Sequence, residues 1–224
     1  FFLGGRLVPL AAPILTALAA GGTAISERTI FAEQDKRRMR QRFAGVMSPE
    51  RLNAVMDHWD ELRHAERPRK QAAILFSDIR GFTNATETLM QADRSTEMVR
   101  FLNTYLEAMS NAVFKEHGVV YDVVGDGLMI LFGLPDPMPD YAERAVRAAV
   151  RMALAAEDLQ PLWPLRDVRP LQIGIGVNCG SVVDALVGGG RRLNYQVIGD
   201  PVNTAARVES HCKLAMELPR PPGG

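Results

Sequence analysis

The chain has few of the residues that build disulfide frameworks or zinc sites. Its 224 residues include two cysteines, Cys179 and Cys212, which lie far apart and form no Cys-x-x-Cys pair. Four histidines are present, without the spacing that zinc sites use: His58, His64, His117 and His211. These absences exclude a small domain held together by disulfides or zinc, and they predict reduced thiols in a cytosolic environment.

The chain also has no net charge. Lys and Arg total 26, and Asp and Glu total 26. This balance argues against nucleic acid as the main partner, because binding to a phosphate backbone needs a basic excess. The hydrophobic fraction of 47% and the charged fraction of 23% are typical of a globular protein with a core.

One long segment carries no charged residue. Leu7 to Ile25 is rich in Leu, Ala and Val, and its length is close to the minimum for a membrane-spanning helix. Six basic residues follow it within a short distance, against Arg6 alone before it: Arg28, Lys36, Arg37, Arg38, Arg40 and Arg42. By the positive-inside rule we expect a transmembrane helix within residues 1–26, anchored in the inner (plasma) membrane, with everything after it cytoplasmic. A signal peptide and a buried soluble helix are the alternatives.

Two further regions follow this predicted span. Residues 27–70 are expected to form a cytoplasmic helical linker, with a helix start at Ser48-Pro49-Glu50. Residues 71–218 are expected to form a catalytic domain that is truncated at its C-terminus. Because the chain begins with Phe and ends in a segment rich in Pro and Gly, we expect an excerpt of a longer protein.

The apolar spacing after residue 70 predicts alternating strands and helices. Strands are expected at about 72–77, 119–124, 127–132, 171–177 and 193–198. Helices are expected at about 94–117, from Tyr141 to Asp158, and from near Pro201 onward. This order fits an α+β fold in which a ferredoxin-like antiparallel sheet carries flanking helices.

Two segments each place one aspartate at the end of an apolar strand, beside glycine. Ile74 to Thr83 carries Asp78, and Val123 to Phe132 carries Asp126. Two carboxylates at strand ends are what a pair of Mg²⁺ ions on a triphosphate needs. For either segment alone, an Asp that caps a turn is an equally good interpretation.

A third motif runs from Tyr195 to Arg207 and consists of a strand, a Gly-Asp turn and a helix start. Asn203 and Arg207 are four residues apart, so they project from one helix face. An Asn amide can bind a sugar or a phosphate, and Arg offers a permanent forked charge to a phosphate transition state. On its own, this motif is better explained by a helix-capping Asn and a surface Arg.

The three motifs in this order resemble those of the class III nucleotidyl cyclases, which are the adenylyl and guanylyl cyclases. The resemblance covers about Gln71 to Lys213 and rests on the patterns F-x-D-I-x-G-F-T, G-D in a hairpin, and G-D-x-V-N-x-A-x-R. The N-terminal part is also similar to the last membrane helix and linker of bacterial cyclases that carry a CHASE2 sensor.

The resemblance implies a two-metal site that binds a nucleoside triphosphate. Asp78, Asp126 and the backbone carbonyl of Ile79 match the ligands of two Mg²⁺ (or Mn²⁺) ions. Backbone amides at three residues match the cradle that holds the triphosphate: Gly81, Phe82 and Thr83.

It further implies that the active site is shared between two copies of the chain. Asn203 matches the residue that orients the ribose, and Arg207 matches the residue that stabilises the transition state. The metal aspartates come from one copy and this pair from the other, which predicts a head-to-tail homodimer with two composite sites. The expected reaction in intracellular signalling is attack of the ribose 3′-hydroxyl on the α-phosphorus, with loss of pyrophosphate.

Asp122 and Gln196 match the two positions that contact the base. Adenylyl cyclases usually have Lys at the first position and guanylyl cyclases Glu, so an ionised Asp122 favours guanine. Gln196 can both donate and accept, so it favours neither base. Because ATP-using enzymes prevail among the bacterial relatives, ATP and cyclic AMP are the leading prediction, and GTP and cyclic GMP the alternative.

Two departures from the family pattern leave other functions open. Asp184 stands where the family usually has glycine, and the chain stops before the strands that usually bring a Lys to the triphosphate. A degenerate module that binds nucleotide without turnover is one alternative, which Asp122, Gln196 and the missing C-terminal strands support. A polymerase or a cyclic dinucleotide synthase on a similar sheet is another, which the helix of the third motif disfavours.

Overall fold

The computed structural model describes residues 68–189 and 192–217, together with the single residues Arg37, Arg40 and Met56. The chain divides into two units, Phe1–Gln41 and Arg42–Gly224, and every element below belongs to the second. The predicted transmembrane span and nearly all of the predicted linker lie outside the described residues. Within the described residues, no helix is both long enough and apolar enough to cross a membrane.

Five strands and four α-helices make up the described domain. The strands are β1 (Lys70–Ile79), β2 (Val119–Val124), β3 (Gly127–Phe132), β4 (Ile173–Gly189) and β5 (Arg192–Ile198). The helices are α1 (Phe82–Gln91), α2 (Ser95–Lys115), α3 (Tyr141–Asp158) and α4 (Asp200–Glu217). A short 3₁₀ turn, Gln160–Leu162, follows α3.

The strands form one antiparallel sheet in the order β2-β3-β1-β4-β5. The unit β1-α2-β2-β3-α3-β4 has the connectivity and strand order of the ferredoxin-like fold, to which β5 and α4 are added. This arrangement confirms the predicted α+β fold with an antiparallel sheet and flanking helices. Strand β1 lies at the centre, where Phe76 is opposite Met129 of β3 and Gly176 of β4.

The central strand is buried on both faces. Ala73 and Leu75 belong to the main core cluster, in which α2 and α3 contribute Tyr105 and Met152. Ala72 and Ile74 alternate with them and are also fully buried, on the face where α4 packs against β4 and β1. Burial on both faces explains why β1 is a continuous apolar run and does not alternate with polar residues.

Helix α4 lies directly on the backbone of β4. A Cβ atom at Gly176 would be 2.2 Å from the backbone nitrogen of Glu209 and 2.3 Å from the carbonyl oxygen of Ala205. At Gly180, a Cβ atom would be 2.7 Å from the ring of Pro201. The glycines of β4 therefore set the height of α4 above the sheet.

Two elements differ from the sequence-based prediction. The apolar spacing gives no prediction for α1, whose N-cap is Gly81 in a left-handed conformation without a side-chain cap. Strand β4 continues to Gly189, well past the predicted end at residue 177, because it exchanges partners along its length. Its first half pairs with β1, and the half from Val183 onward pairs with β5.

A candidate active site at the ends of β1 and β3

The pairing of β1 with β3 brings the two motif aspartates to the same end of the sheet. The ladder runs from Ala73 opposite Phe132 to Ser77 opposite Leu128, so Asp126 lies just beyond its end, beside Asp78. The backbone N–H of Ile79 donates to Oδ2 of Asp126 at 2.8 Å. This hydrogen bond joins the turn between β2 and β3 to the end of β1.

Asp126 sits in a two-residue turn between the paired residues Val124 and Gly127. Gly125, the other turn residue, has a φ angle of +65°. Residues with a side chain rarely adopt this conformation, so the glycine is what allows so tight a turn. The tight turn aims the carboxylate at the end of β1.

The two carboxylates are close enough to affect each other's ionisation. Asp126 is 9% exposed. Burial, followed by the hydrogen bond and the negative charge of Asp78, raises the pKa of Asp126 to about 7, although the N–H of Ile79 opposes the rise. Desolvation and a neighbouring like charge both disfavour the ionised form, and a bound cation would offset both.

The end of β1 and the turn between β2 and β3 form a corner of the sheet, and the oxygen donors at this corner suit a hard divalent cation. Among the described residues, no cluster of three or more His, Cys, Asp or Glu side chains could hold a metal ion. Mg²⁺ does not need such a cluster, since it typically binds one or two carboxylates together with substrate phosphates and water. Asp78 and Asp126 therefore fit such an ion, and the carbonyl of Ile79 stays a predicted third ligand.

The aspartate pair lines an open cleft of about 310 Å³ on the face of the sheet that carries α4. Two more acidic residues, Asp122 and Glu209, also line this cleft. Glu209 is neutralised by Arg80, whose Nη1 lies 2.9 Å from Oε1 of Glu209 and whose Nη2 donates to its backbone carbonyl at 3.0 Å. The three aspartates remain, so the cleft still has an acidic lining that attracts cations.

The predicted triphosphate cradle is the N-terminus of α1. Gly81 precedes the helix, and Phe82 and Thr83 begin it, three to five residues after Asp78. The first backbone amides of a helix have no carbonyl partner within it, and such amides attract anions. Arg169 donates from Nη2 to the carbonyl of Gly81, so a guanidinium also lies at this loop.

Asn203 and Arg207 lie on α4 and are both exposed. Neither is among the residues that line the cleft. One chain therefore assembles the aspartate pair but does not bring Asn203 and Arg207 into the same cleft.

The two predicted base-contacting residues lie on the edge strands of the sheet. Asp122 is exposed on β2, and Gln196 is exposed on β5. The residues that precede them are in contact, since the hydroxyl of Tyr121 donates to the carbonyl oxygen of Tyr195 at 2.5 Å.

Sequence reasoning missed several residues around the site. Arg80 lies inside the first motif and Glu209 follows Arg207 by two positions, but the two are 129 residues apart and their charges alone do not indicate that they pair. The contact of Arg169 with Gly81 spans 88 residues, and no local pattern indicates it.

The family model named Adenylate and Guanylate cyclase catalytic domain matches residues 65–215. The chain belongs to this family. Membership confirms the predicted class III nucleotidyl cyclase domain, whereas the CHASE2-type origin stays a prediction.

Curated relatives in the family include adenylate cyclases from distant organisms. An adenylate cyclase of Mycobacterium tuberculosis is 36% identical over 166 residues, which cover 74% of this chain and 33% of that protein. The terminal-differentiation-specific adenylate cyclase of Dictyostelium discoideum is 35% identical over 144 residues, or 64% of this chain and 6% of that protein. The chain thus spans about a third or less of the length of these relatives.

Solved cyclase structures share the fold. The guanylyl cyclase Cya2 is 36% identical, with a TM-score of 0.58 over 65% of this chain and 72% of that chain. The adenylyl cyclase CyaB from P. aeruginosa is 34% identical, with a TM-score of 0.59 over 65% of this chain and 74% of that chain. Enzymes of both substrate types are therefore among the relatives of this domain.

Proposed function

We propose that this cyclase domain converts ATP to 3′,5′-cyclic AMP and pyrophosphate in intracellular signalling. The observation that carries the proposal is the hydrogen bond from Ile79 to Asp126, which brings the two strand-end carboxylates together in a cleft. Membership of the cyclase family supports the reaction type.

Each half of the site has a defined task in this proposal. Asp78, Asp126 and the carbonyl of Ile79 hold two divalent ions, Mg²⁺ or Mn²⁺. When bound, these ions supply an activated 3′-hydroxyl and neutralise the leaving pyrophosphate. The amides at the start of α1 hold the triphosphate in line for attack, so positioning and electrostatics provide most of the rate enhancement.

Asn203 and Arg207 act in this proposal on the nucleotide that a second copy binds. Asn203 orients the ribose, and Arg207 stabilises the negative charge that develops on the phosphates. The exposure of both residues on α4 supports a head-to-tail homodimer with two composite sites. Anchoring in the inner membrane, with this domain in the cytoplasm, is the accompanying proposal and rests on the uncharged segment Leu7 to Ile25.

The choice of ATP over GTP rests on the relatives. Curated proteins at 35–36% identity are named adenylate cyclases. Conversion of GTP to cyclic GMP is the second candidate, which the carboxylate of Asp122 and the 36% identity to a guanylyl cyclase favour.

The test is a turnover assay on the full-length natural protein with equal concentrations of ATP and GTP. Mg²⁺ and Mn²⁺ are compared, products are identified by mass, and Asp126→Ala serves as the blank. Cyclic AMP as the main product supports the proposal, and cyclic GMP as the main product replaces it with the second candidate. Nucleotide binding without any cyclic product would identify a regulatory module.

A further inference from the structure

We propose that Tyr121 and Asp184 are positioning residues for base selection, because they fix Tyr195 and with it the placement of Gln196 relative to Asp122. The inference rests on the proposed function, and it adds the residues that set the geometry of the base contacts.

A β-bulge places Asp122 on the cleft side of β2. Val120 is opposite Ile130 and Asp122 is opposite Met129, so Tyr121 is an extra residue without a partner on β3. As a result, Val120 and Val123 both reach the core cluster although they are three positions apart. Bulges of this kind redirect side chains, and here the bulge turns Asp122 towards the cleft.

The extra residue of the bulge makes the contact to the opposite edge of the sheet. The hydroxyl of Tyr121 donates to the carbonyl oxygen of Tyr195 at 2.5 Å, and the ring centroids are 5.9 Å apart. The next residue after each tyrosine is a base-contacting candidate, Asp122 or Gln196. Tyr121 and Tyr195 are 74 positions apart, and their contact links the two edge strands one residue away from each candidate.

A buried ionic network holds Tyr195 from its other end. The tyrosine hydroxyl lies 3.2 Å from Oδ2 of Asp184, and Nζ of Lys70 lies 3.0 Å from the same oxygen. Lys70 also donates to the carbonyl of Pro135 at 2.9 Å. The Asp184 side chain is fully buried, so it depends on these partners for compensation of its charge.

These contacts restrict the backbone of β5 next to Gln196, whose side chain projects from the strand. Base selection by hydrogen bonds needs donors and acceptors held within a fraction of an ångström, since a misplaced group leaves a polar atom of the base unsatisfied. Loss of the Tyr121 hydroxyl should therefore weaken the discrimination between ATP and GTP more than it slows the reaction.

The test is Tyr121→Phe in the full-length protein, which removes one oxygen atom. We expect KM for the preferred nucleotide to rise about fivefold, the worth of one hydrogen bond, while kcat changes by less than about twofold. The ratio of cyclic AMP to cyclic GMP from equal ATP and GTP should move towards one. Tyr141→Phe, at the start of α3, is the matched control and should keep the wild-type ratio. An unchanged ratio in Tyr121→Phe would overturn the inference.

Binding of 3′-deoxy-ATP and 3′-deoxy-GTP in the presence of Mg²⁺, measured by calorimetry, provides a readout that needs no turnover. These analogues lack the attacking hydroxyl, so the ratio of their Kd values tests base selection even if the proposed reaction is wrong. We expect Tyr121→Phe and Asp184→Asn to bring the two Kd values closer together. A wild-type protein without a preference, or a Tyr121→Phe variant with an unchanged Kd ratio, contradicts the inference.

Discussion

The corner that holds Asp78 and Asp126 and the helix face that holds Asn203 and Arg207 are built in opposite ways. At the corner, two antiparallel ladders and the hydrogen bond from Ile79 fix the buried carboxylate of Asp126 within one chain. On α4, the side chains of Asn203 and Arg207 are exposed and lie outside the cleft.

This difference indicates which part of the site one chain can complete. The proposed cation site needs ligands fixed before the cation arrives, and one chain holds two carboxylates together at neighbouring strand ends. Groups that stabilise a transition state must reach the substrate, and exposed groups on α4 reach only what docks on that face. The comparison therefore favours a site completed by a second copy, and each prediction below tests one side of it.

The largest expected effect comes from the corner. Asp126→Ala and Asp78→Ala should each reduce turnover by about 10³-fold or more, because positioning and charge neutralisation both depend on the bound ions. Initial rates of cyclic nucleotide formation at saturating Mn²⁺ measure this. Asp136→Ala, in the loop before α3, is the matched control. Activity within tenfold of wild type in either corner variant would contradict the metal-binding role.

The second prediction concerns the division of the site between copies. Asp126→Ala and Arg207→Ala should each be inactive alone, but their mixed dimers should recover about half of the wild-type activity per dimer, because each mixed dimer keeps one intact site of two. The two variants are co-expressed with different tags, and the mixed dimers are assayed after tandem purification.

The control mixture combines Asp126→Ala with Asp78→Ala, whose lesions lie in the same half of the site. No recovery is expected there, because every composite site then lacks an aspartate. Equal recovery in both mixtures, or none in either, would argue against two halves from two copies.

The corner could be predicted from sequence because its elements are local and regular. Strands β2 and β3 and helix α3 occupy the expected residues, since apolar alternation and helical spacing determine them without distant partners. The Gly125-Asp126 turn likewise identified its hairpin. The aspartates are therefore the part of the site that short motifs describe best.

The surroundings of the site depend on contacts between distant residues, which short patterns do not record. Asp184 was recognised only as a departure from glycine, whereas the structure shows its burial with Lys70, 114 residues away. The bulge at Tyr121 was missed because one extra residue in a six-residue strand leaves the apolar pattern almost unchanged. Helix α1 was missed because Gly81 gives no side-chain capping signal.

The third prediction tests whether the packing of α4 on β4 affects catalysis without affecting the binding of cations by Asp78 and Asp126. Gly176→Ala would place a Cβ atom against the backbone of Glu209 and Ala205, which cannot move without displacing the helix. We expect a loss of about 2–3 kcal/mol in the free energy of unfolding and a larger fall in turnover than in Mn²⁺ affinity. Denaturant unfolding and Mn²⁺ titration measure the two effects. Cys179→Ala, exposed on the same strand, is the control, and equal stability of the two variants would refute the proposed seating.

The smallest effect lies in the layer of α2 and α3, remote from both halves of the site. Glu116 is 4% exposed at the end of α2 and accepts from Arg151 at 2.6 Å and from Arg147 at 2.9 Å. These two guanidinium groups hold the pKa of Glu116 below its usual value. Glu116→Gln should lower the free energy of unfolding by about 1–2 kcal/mol at neutral pH. This is the low end for a charged hydrogen-bonded group, because both arginines are partly exposed.

The pH dependence of this loss has a definite sign. A carboxyl whose pKa is lower in the folded state stabilises the fold above its unfolded pKa, about 4.3 for Glu, and this stabilisation disappears as the pH falls through the folded value. The gap in unfolding free energy between wild type and Glu116→Gln should therefore be full at pH 7 and close in acid. Glu143→Gln, which removes an exposed partner of Arg147, should show almost no gap at any pH. Turnover per folded molecule should stay at the wild-type level in both variants. A gap in unfolding free energy at Glu116 that does not change with pH would mean that packing, and not the ion pair, joins α2 to α3.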